Sequence, residues 1–171
     1  MRTKHVVVEP YNPKWKADFE AIKSEVAQAL GEIALSVEHV GSTSVEDLSA
    51  KPIIDIDVVV KAEDVPKAIT RLSKIGYQHE GNLGIAGREA FCYDEEQKKH
   101  LQVHHLYVCP ENSAELKRHI AFRDYLKTHK AERDEYSRVK AEAARLFPND
   151  IEGYIAHKAS VIEKIYKELS L

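Results

Sequence analysis

Residues 52–60 read PIIDIDVVV, and they are the strongest indication of the fold in the sequence. Apolar residues fill both alternating side-chain positions, which is typical of a strand that is covered on both faces. Such a strand lies inside a sheet, so helices are expected to pack on that sheet. Asp55 and Asp57 interrupt the apolar run two positions apart, and their side chains therefore emerge on the same face.

The two aspartates are the first candidates for function. Burying two ionised carboxylates in an apolar strand costs free energy unless cations or hydrogen-bond donors compensate their charge. Hard oxygen ligands suit Mg²⁺, so the pair predicts a metal site. The alternative is two acids at a solvent-facing strand end that are only hydrated or hydrogen-bonded, because a bare D-x-D pattern often arises by chance.

The turn before this strand strengthens the metal hypothesis. Gly41 and Ser42 precede Asp55, with twelve residues between Ser42 and Asp55. Glycine permits close backbone approach, and serine offers a hydroxyl beside exposed N–H groups to a phosphate oxygen. Together with Ser44, this turn predicts phosphate binding beside a metal held by Asp55 and Asp57.

Hydrophobic periodicity predicts the other elements of the first 110 residues. They are a helix over 15–30, strands over 35–40 and 53–60, a helix over 64–76, and strands over 89–93 and 101–108. The glycines at 81, 84 and 87 predict a loop between the second helix and the next strand.

From residue 111 onward the apolar residues recur at the helical period, which predicts three helices. No linker rich in glycine or serine separates them from the α/β part. We therefore expect one domain over residues 1–171, with an α/β core over 1–110 and C-terminal helices over 111–171 that pack on it.

Composition excludes several classes of protein. The 171 residues suffice for one well-filled core. The 25 basic and 28 acidic residues are scattered, which argues against general nucleic-acid binding. Two cysteines are too few for a disulfide framework, and no apolar run is long enough to cross a bilayer. We expect a cytoplasmic protein without a membrane partner.

Three further residues are candidates for the site. Arg88 follows the glycine loop and has the reach to clamp a phosphate; the alternative is a surface ion pair. Lys158 lies near an apolar helical stripe, where a solvated lysine is not expected, and so suggests a triphosphate partner. His104 has three readings: metal ligand, water-orienting group or core hydrogen-bond partner. His105 points to the opposite face of the same strand.

The sequence around these candidates resembles the GrpB family. The similarity begins with GSTSV at 41–45 and AKPIIDI at 50–56. It continues through the following residues: Gly84-Ile85-Ala86-Gly87-Arg88 with Phe91, His104-His105-Leu106 before Val108, FRDYL at 122–126, Tyr136 with Lys140, and Tyr154 with Lys158. The resemblance covers nearly the whole chain, and members of the family resemble nucleotidyltransferase-fold domains.

This resemblance implies an α/β (α+β) fold, with a nucleotidyltransferase-like mixed β-sheet flanked by helices and a C-terminal helical segment. It implies Mg²⁺-dependent transfer of a nucleotidyl group from a nucleoside triphosphate to an acceptor that the sequence does not identify. The implied roles are metal binding and catalysis for Asp55 and Asp57, assistance to catalysis for His104, and nucleotide binding for Gly41, Ser42, Ser44, Arg88 and Lys158.

A second hypothesis comes from the departures from the family pattern. Glu46-Asp47 replaces Pro-Gly, Ala86 replaces Pro, and Tyr107 replaces His. Nucleotidyltransferases commonly carry a third carboxylate on a neighbouring strand, and residues 101–108 contain none. The alternative is therefore a non-catalytic nucleotide-binding or folding-accessory module, as suggested for GrpB-like domains fused to dephospho-coenzyme A kinase.

Overall fold

The computed structural model describes residues 5–171, in which five strands form one sheet. The strands are β1 (Ser36–Val40), β2 (Ile54–Val60), β3 (Gln78–Gly81), β4 (Glu89–Cys92) and β5 (His104–Pro110). Their order in the sheet is β1-β2-β5-β4-β3. The pair β2 and β5 is parallel and the other neighbours are antiparallel. The predicted mixed sheet, with β2 inside it, is confirmed.

Five helices accompany the sheet. They are α1 (Lys14–Leu30), α2 (Val65–Ser73), α3 (Ala114–Thr128), α4 (Lys130–Leu146) and α5 (Ile151–Glu168). Two of the C-terminal helices start at side-chain caps: Ser113 Oγ accepts from Leu116 N at 3.1 Å, and Asp150 Oδ1 accepts from Gly153 N at 3.0 Å. No helix in the described part of the chain combines the length and apolarity needed to cross a membrane.

Two strands differ from the sequence prediction. Residues 78–81 form β3 where a loop was expected, because this short polar segment pairs with β4 across a register shift between His79 and Gly81. The glycine has φ 77°, which suits such an irregularity. At β5, Leu101 N donates to Lys98 O at 2.9 Å in a turn, so the strand begins only at His104.

The two faces of β2 have different neighbours. Ile54, Ile56, Val58 and Val60 belong to the main apolar core, which α1 and α2 cover. We call this the closed face of the sheet. Asp55 and Asp57 emerge on the other side, which we call the open face; beside them Val59 packs in a small cluster with Cys109 and Leu116.

The C-terminal helices enclose a separate apolar cluster. It joins the segment after the Gly41-Ser42 turn to all three helices through the following buried residues: Val45, Leu48, Tyr125, Leu126, Tyr136, Val161 and Ile165. These contacts hold α4 and α5 beside the turn and so place their inward-facing side chains near the start of β2.

Candidate functional site

The open face is organised by the parallel pairing of β2 with β5. In this register Asp55 lies beside His105 and Asp57 beside Tyr107. Partners in a ladder point to the same face of the sheet. Each aspartate therefore has a polar neighbour from β5 at its side.

Asp55 is the more accessible of the two acids, with 33% of its side chain exposed. His105 Nδ1 donates to its Oδ1 at 3.1 Å. Burial alone would raise the pKa of Asp55, but the hydrogen bond and charge of His105, followed by the charge of Lys51, hold that pKa below its ordinary value. Asp55 is thus an ionised carboxylate at the edge of the site.

Asp57 is fully buried, with no exposed surface. Its Oδ2 accepts from His119 Nδ1 on α3 at 2.6 Å, whereas its Oδ1 is buried without a hydrogen-bond partner. The other ring nitrogen of His119, Nε2, lies 2.9 Å from Glu115 Oε1. Burial raises the pKa of Asp57 and outweighs the opposing hydrogen bond from His119.

The Gly41 turn lies against Asp55. Gly41 has φ 71°, and a Cβ at this position would collide with Asp55 Oδ2 and lie 2.9 Å from Asp55 Cβ. Glycine is therefore required here both for its backbone conformation and for its lack of a side chain. Ser44 Oγ donates to Gly41 O at 2.5 Å, so this hydroxyl shapes the turn.

A cavity of about 120 Å³ opens between this turn, the start of β2 and helices α4 and α5. Three lysines border it, Lys51, Lys140 and Lys158, and we call it the lysine cavity. Its other polar lining residues are Ser42, Thr43, Asp55, His105 and Tyr154. A basic pocket with a carboxylate at its rim thus lies at one end of the open face.

The three lysine amines have aromatic neighbours. Lys140 is only 1% exposed, its Nζ has no hydrogen-bond partner, and it lies 4.2 Å from the centre of the Tyr136 ring. The Nζ atoms of Lys51 and Lys158 lie 5.1 and 4.8 Å from the centre of the Tyr154 ring. Aromatic faces stabilise a cation without providing the acceptor that it lacks.

Burial lowers the pKa of all three lysines. It brings the pKa of Lys51 to about 8, with a further contribution from the charge of Lys158. The pKa of Lys140 is held well below its usual range, first by burial and then by the charges of Lys158 and Lys51. Desolvated amines that repel one another favour an anionic occupant, because an anion restores the charge balance of the cavity.

Arg88 lies apart from the lysine cavity. It lines a second cavity of about 400 Å³ together with Gly87, Asn82 and Pro110. Its guanidinium carbon lies 4.5 Å from the centre of the Tyr107 ring, and its Nε is buried without a partner. Tyr107 pairs with Asp57 in the ladder. Arg88, which lies over the Tyr107 ring, is therefore close to Asp57, whereas the lysine cavity is bordered by Asp55. Burial raises the pKa of Tyr107 to about 12, so its phenol is uncharged where the Arg88 guanidinium lies over the ring.

His104 is not at this site, which corrects its assignment as an assistant to catalysis. It pairs with Ile54 in the ladder and points to the closed face, where it is 1% exposed. Its Nε2 lies 2.7 Å from Tyr77 Oη and its Nδ1 lies 2.8 Å from Gln102 O. Burial lowers the pKa of His104 to about 4, so it is a neutral core residue.

The structure thus brings Gly41, Ser42, Asp55, Asp57 and Lys158 together on the open face. Ser44 supports the turn, Arg88 approaches from the other end, and His104 is excluded. Sequence reasoning did not select five residues of this face: Lys51, His105, Glu115, His119 and Lys140.

Some of the overlooked residues had a sequence signal. Lys140 shares one helical face with the buried Tyr136 and Ala143, just as Lys158 lies beside an apolar stripe. Glu115 and His119 are four apart on α3, the spacing of neighbours on one helical face.

Asp55 and Asp57 fit a Mg²⁺ ion. The partnerless buried Oδ1 of Asp57 is a hard oxygen ligand whose burial no protein donor compensates, and Asp55 is ionised nearby. No group of three or more histidine, cysteine, aspartate or glutamate side chains within residues 5–171 is arranged as a metal site.

Comparison with known proteins identifies related sequences. The family model described as GrpB protein matches residues 5–168. The glutamate-rich protein GrpB of Alkalihalophilus pseudofirmus is 32% identical over 96% of this chain and 95% of its own length. The UPF0157 protein YqkA of Bacillus subtilis is 33% identical, but the match spans only 42% of its length. A dephospho-CoA kinase of Mycolicibacterium paratuberculosis is 24% identical over 92% of this chain and 44% of the kinase.

Two solved structures show the fold. The conserved protein GrpB from Enterococcus faecalis matches with a TM-score of 0.81 and 33% identity, over 96% of this chain and all of that one. The Cid1 poly(U) polymerase, in a structure with MgGTP bound, matches with a TM-score of 0.54 and 12% identity, over 80% of this chain and 44% of Cid1. At such low identity the second likeness is one of fold, which is nucleotidyltransferase-like.

Proposed function

The chain belongs to the GrpB family, and on that premise we propose that it binds a nucleoside triphosphate with Mg²⁺ and transfers the nucleotidyl group to an acceptor hydroxyl or similar group. The observation that carries the proposal is the convergence of Lys51, Lys140 and Lys158 on one cavity that Asp55 borders. A polyphosphate is the anion that such a cluster favours, because it brings several negative charges to three repelling amines.

The lysine cavity is proposed to hold the phosphates. Ser42 Oγ and the adjoining turn line it and offer donors, and Lys140 is a buried part of its wall. The lysines neutralise the charge that develops on pyrophosphate as the bond between its oxygen and the α-phosphorus breaks. Arg88, stacked on Tyr107, is placed to meet a negative charge at the other end of the aspartates.

Asp55 and Asp57 would hold the metal ion, with His105 and His119 fixing their side chains. When bound, Mg²⁺ polarises phosphoryl oxygens and favours the deprotonated form of an attacking hydroxyl. Gly41 lets the turn lie directly against Asp55, which brings the phosphate donors beside the carboxylate. The acceptor is proposed to be a small molecule or a macromolecule in the cytoplasm, without general nucleic-acid binding.

A second candidate is a nucleotide-binding module without catalysis. Two observations favour it. The β5 residues that face the aspartates are His105 and Tyr107, so this strand contributes no third acid. The match to a dephospho-CoA kinase suggests that such a chain segment accompanies another enzyme, where it would serve as a sensor or folding accessory.

Isothermal titration calorimetry with Mg²⁺ and a non-hydrolysable nucleoside triphosphate tests the shared part of both candidates. We expect saturable 1:1 binding that Asp55→Asn weakens by a hundredfold or more, about 3 kcal/mol, since it removes a charged ligand of the metal. Asp134→Asn, an exposed acid paired with Lys130 on α4, is the matched control and should bind normally. Equal affinity in wild type and Asp55→Asn would refute the site.

Release of pyrophosphate separates the two candidates. The protein is incubated with Mg²⁺, a mixture of nucleoside triphosphates and pools of acceptors, and pyrophosphate is measured with a coupled assay. Production that Asp55→Asn abolishes supports nucleotidyl transfer. Tight binding without pyrophosphate from any pool supports the non-catalytic module.

A further inference from the structure

The contact between Asp57 and α3 bears on how many metal ions the site holds. We propose that the site takes one metal ion with its nucleotide rather than two, and that His119, held by Glu115, occupies the place at Asp57 that a second ion would need. This inference rests on the proposed function of Asp55 and Asp57, and its test distinguishes failure of the one from failure of the other.

Asp57 has only one oxygen free for a metal ion. Two metal ions in a catalytic pair lie about 3.5–4 Å apart, so a carboxylate between them must offer one oxygen to each. Mg²⁺ approaches a carboxylate oxygen to about 2.0–2.1 Å. Asp57 Oδ2 already has His119 Nδ1 at 2.6 Å, and the imidazole ring fills the space in front of it. Only the partnerless Oδ1 is available to an ion.

Contacts with α3 residues hold the His119 ring in place. Glu115, one helical turn earlier on α3, lies 2.9 Å from its Nε2. The imidazole thus has a carboxylate oxygen within 3 Å of each nitrogen, and only 20% of the side chain is exposed. Ser113 caps the start of the helix, which fixes the turn that carries Glu115. Rotating the ring away from Asp57 would break both contacts in a largely buried place.

The residues beside the aspartates are unsuited to a second metal ion. A second ion needs a further acid, and β5 places His105 and Tyr107 beside the aspartates. His105 is engaged with Asp55 Oδ1, and Tyr107 carries Arg88 over its ring. The guanidinium, 4.5 Å from the centre of that ring, adds positive charge near Asp57 and so disfavours a second divalent cation there. Of the other acids near Asp57, Glu38, its ladder partner on β1, is paired with Arg123 Nη1 at 2.9 Å, and Glu115 lies 2.9 Å from His119 Nε2.

Equilibrium dialysis counts the ions. The full chain is dialysed against Mn²⁺, which replaces Mg²⁺, and a saturating non-hydrolysable nucleoside triphosphate; protein-bound metal and nucleotide are then measured separately. We expect one Mn²⁺ per bound nucleotide in the wild type. His119→Asp puts a carboxylate in place of the imidazole and should raise the ratio to two. His119→Asn keeps a neutral donor beside Asp57 and should leave the ratio at one.

His5→Asp is the matched control, because it adds the same charge at an exposed histidine bonded to Asn149. Circular dichroism confirms that each variant is folded, and Mn²⁺ with nucleotide should raise the melting temperature of His119→Asp more than that of the wild type. Two ions per nucleotide in the wild type, or one in folded His119→Asp, overturns the inference while the nucleotide site stands. No bound nucleotide in the wild type overturns the proposed function and the inference with it.

Discussion

The two faces of the sheet differ in whether their buried polar atoms all have hydrogen-bond partners. On the closed face, His104 has partners at both nitrogens, and Lys98 Nζ donates to Ile75 O at 2.5 Å. On the open face, buried polar atoms lack partners: Asp57 Oδ1, Lys140 Nζ and Arg88 Nε. The one other such atom among the described residues, Arg133 Nε, belongs to a guanidinium whose Nη1 donates to Leu126 O.

On the proposed function, this difference separates residues that stabilise the fold from residues whose hydrogen bonding a ligand would complete. A buried donor or acceptor without a partner costs about 1–3 kcal/mol, and a bound molecule that completes its hydrogen bonding is one way in which that cost is offset. Adjacent histidines make the point, since His104 and His105 lie on one strand and serve the two faces separately. Matched substitutions on the two faces should therefore have different effects on stability and on nucleotide affinity.

The largest effect is expected at Gly41. Gly41→Ala should lower the free energy of unfolding by about 2–4 kcal/mol, from left-handed backbone strain and from overlap with Asp55. It should also abolish nucleotide binding, because Asp55 must move. Gly84→Ala is the control: its φ is 83° with nothing within 4 Å of an added Cβ, so only the backbone strain of about 1–2 kcal/mol applies.

Urea denaturation and calorimetry measure the two quantities for both glycine variants. The comparison fails if Gly84→Ala loses nucleotide affinity as Gly41→Ala does, because the effect would then come from general destabilisation.

The two buried lysines come next. Lys140→Met should raise the free energy of unfolding by about 1–3 kcal/mol, since it removes a buried amine without an acceptor. It should weaken nucleotide binding by tenfold or more. Lys98→Met removes an amine that is bonded on the closed face, so it should destabilise the protein by about 1–2 kcal/mol and leave affinity unchanged.

Chemical denaturation at constant pH and nucleotide titration give both values for the lysine variants. A loss of stability in Lys140→Met would mean that this lysine serves the fold, and the contrast between the faces would then disappear.

The adjacent histidines should show a similar but smaller separation. His104→Gln disrupts the contacts with Tyr77 and Gln102 and should cost about 1–3 kcal/mol of stability without a change in affinity. His105→Gln loosens Asp55 at the rim of the cavity and should reduce affinity a few-fold, about 1 kcal/mol, with little change in stability. The same two measurements serve, and exchanged outcomes would reverse the assignment of the faces.

A change in pH should alter nucleotide affinity through Lys51. The pKa of Lys51 is about 8, and only the protonated amine attracts phosphate. Affinity should therefore be complete below pH 8 and fall as the pH rises through it, by roughly fivefold to tenfold at pH 9. Lys51→Arg keeps its charge in this range and should flatten the profile. Titrations at pH 7, 8 and 9 measure it, and an equal fall in both proteins would exclude Lys51 as its source.

The part of the site on β2 was predictable because its signals are local. A continuous apolar run indicates an interior strand, and two carboxylates within it stand out against the cost of burying charge. The Gly41-Ser42 turn was recognisable by its spacing from Asp55. The helices were equally accessible, since each repeats its apolar residues over several turns.

The rest depended on contacts between distant segments. Lys51, Lys140 and Lys158 come from a loop and two different helices, and although Lys140 and Lys158 lie beside apolar helical faces, their meeting at one cavity is set by the tertiary fold. His104 was misassigned because the register of β5 against β2, which decides the face, is a tertiary property. His104 occupies the same alternating positions of β5 as the buried Leu106 and Val108, and this apolar pattern indicated that it points into the core. The short strand β3 lacks periodicity altogether.

The lysine cavity has a consequence for folding kinetics. Its walls come from residues far apart in the chain, and contacts of large sequence separation form late because loop-closure entropy opposes them. A nascent chain still lacking α5 has no Lys158, so it cannot capture a nucleotide with the complete cluster. After the cavity has formed, a bound nucleotide would connect the loop before β2 to α4 and α5. Amide hydrogen exchange in all three segments would then slow together.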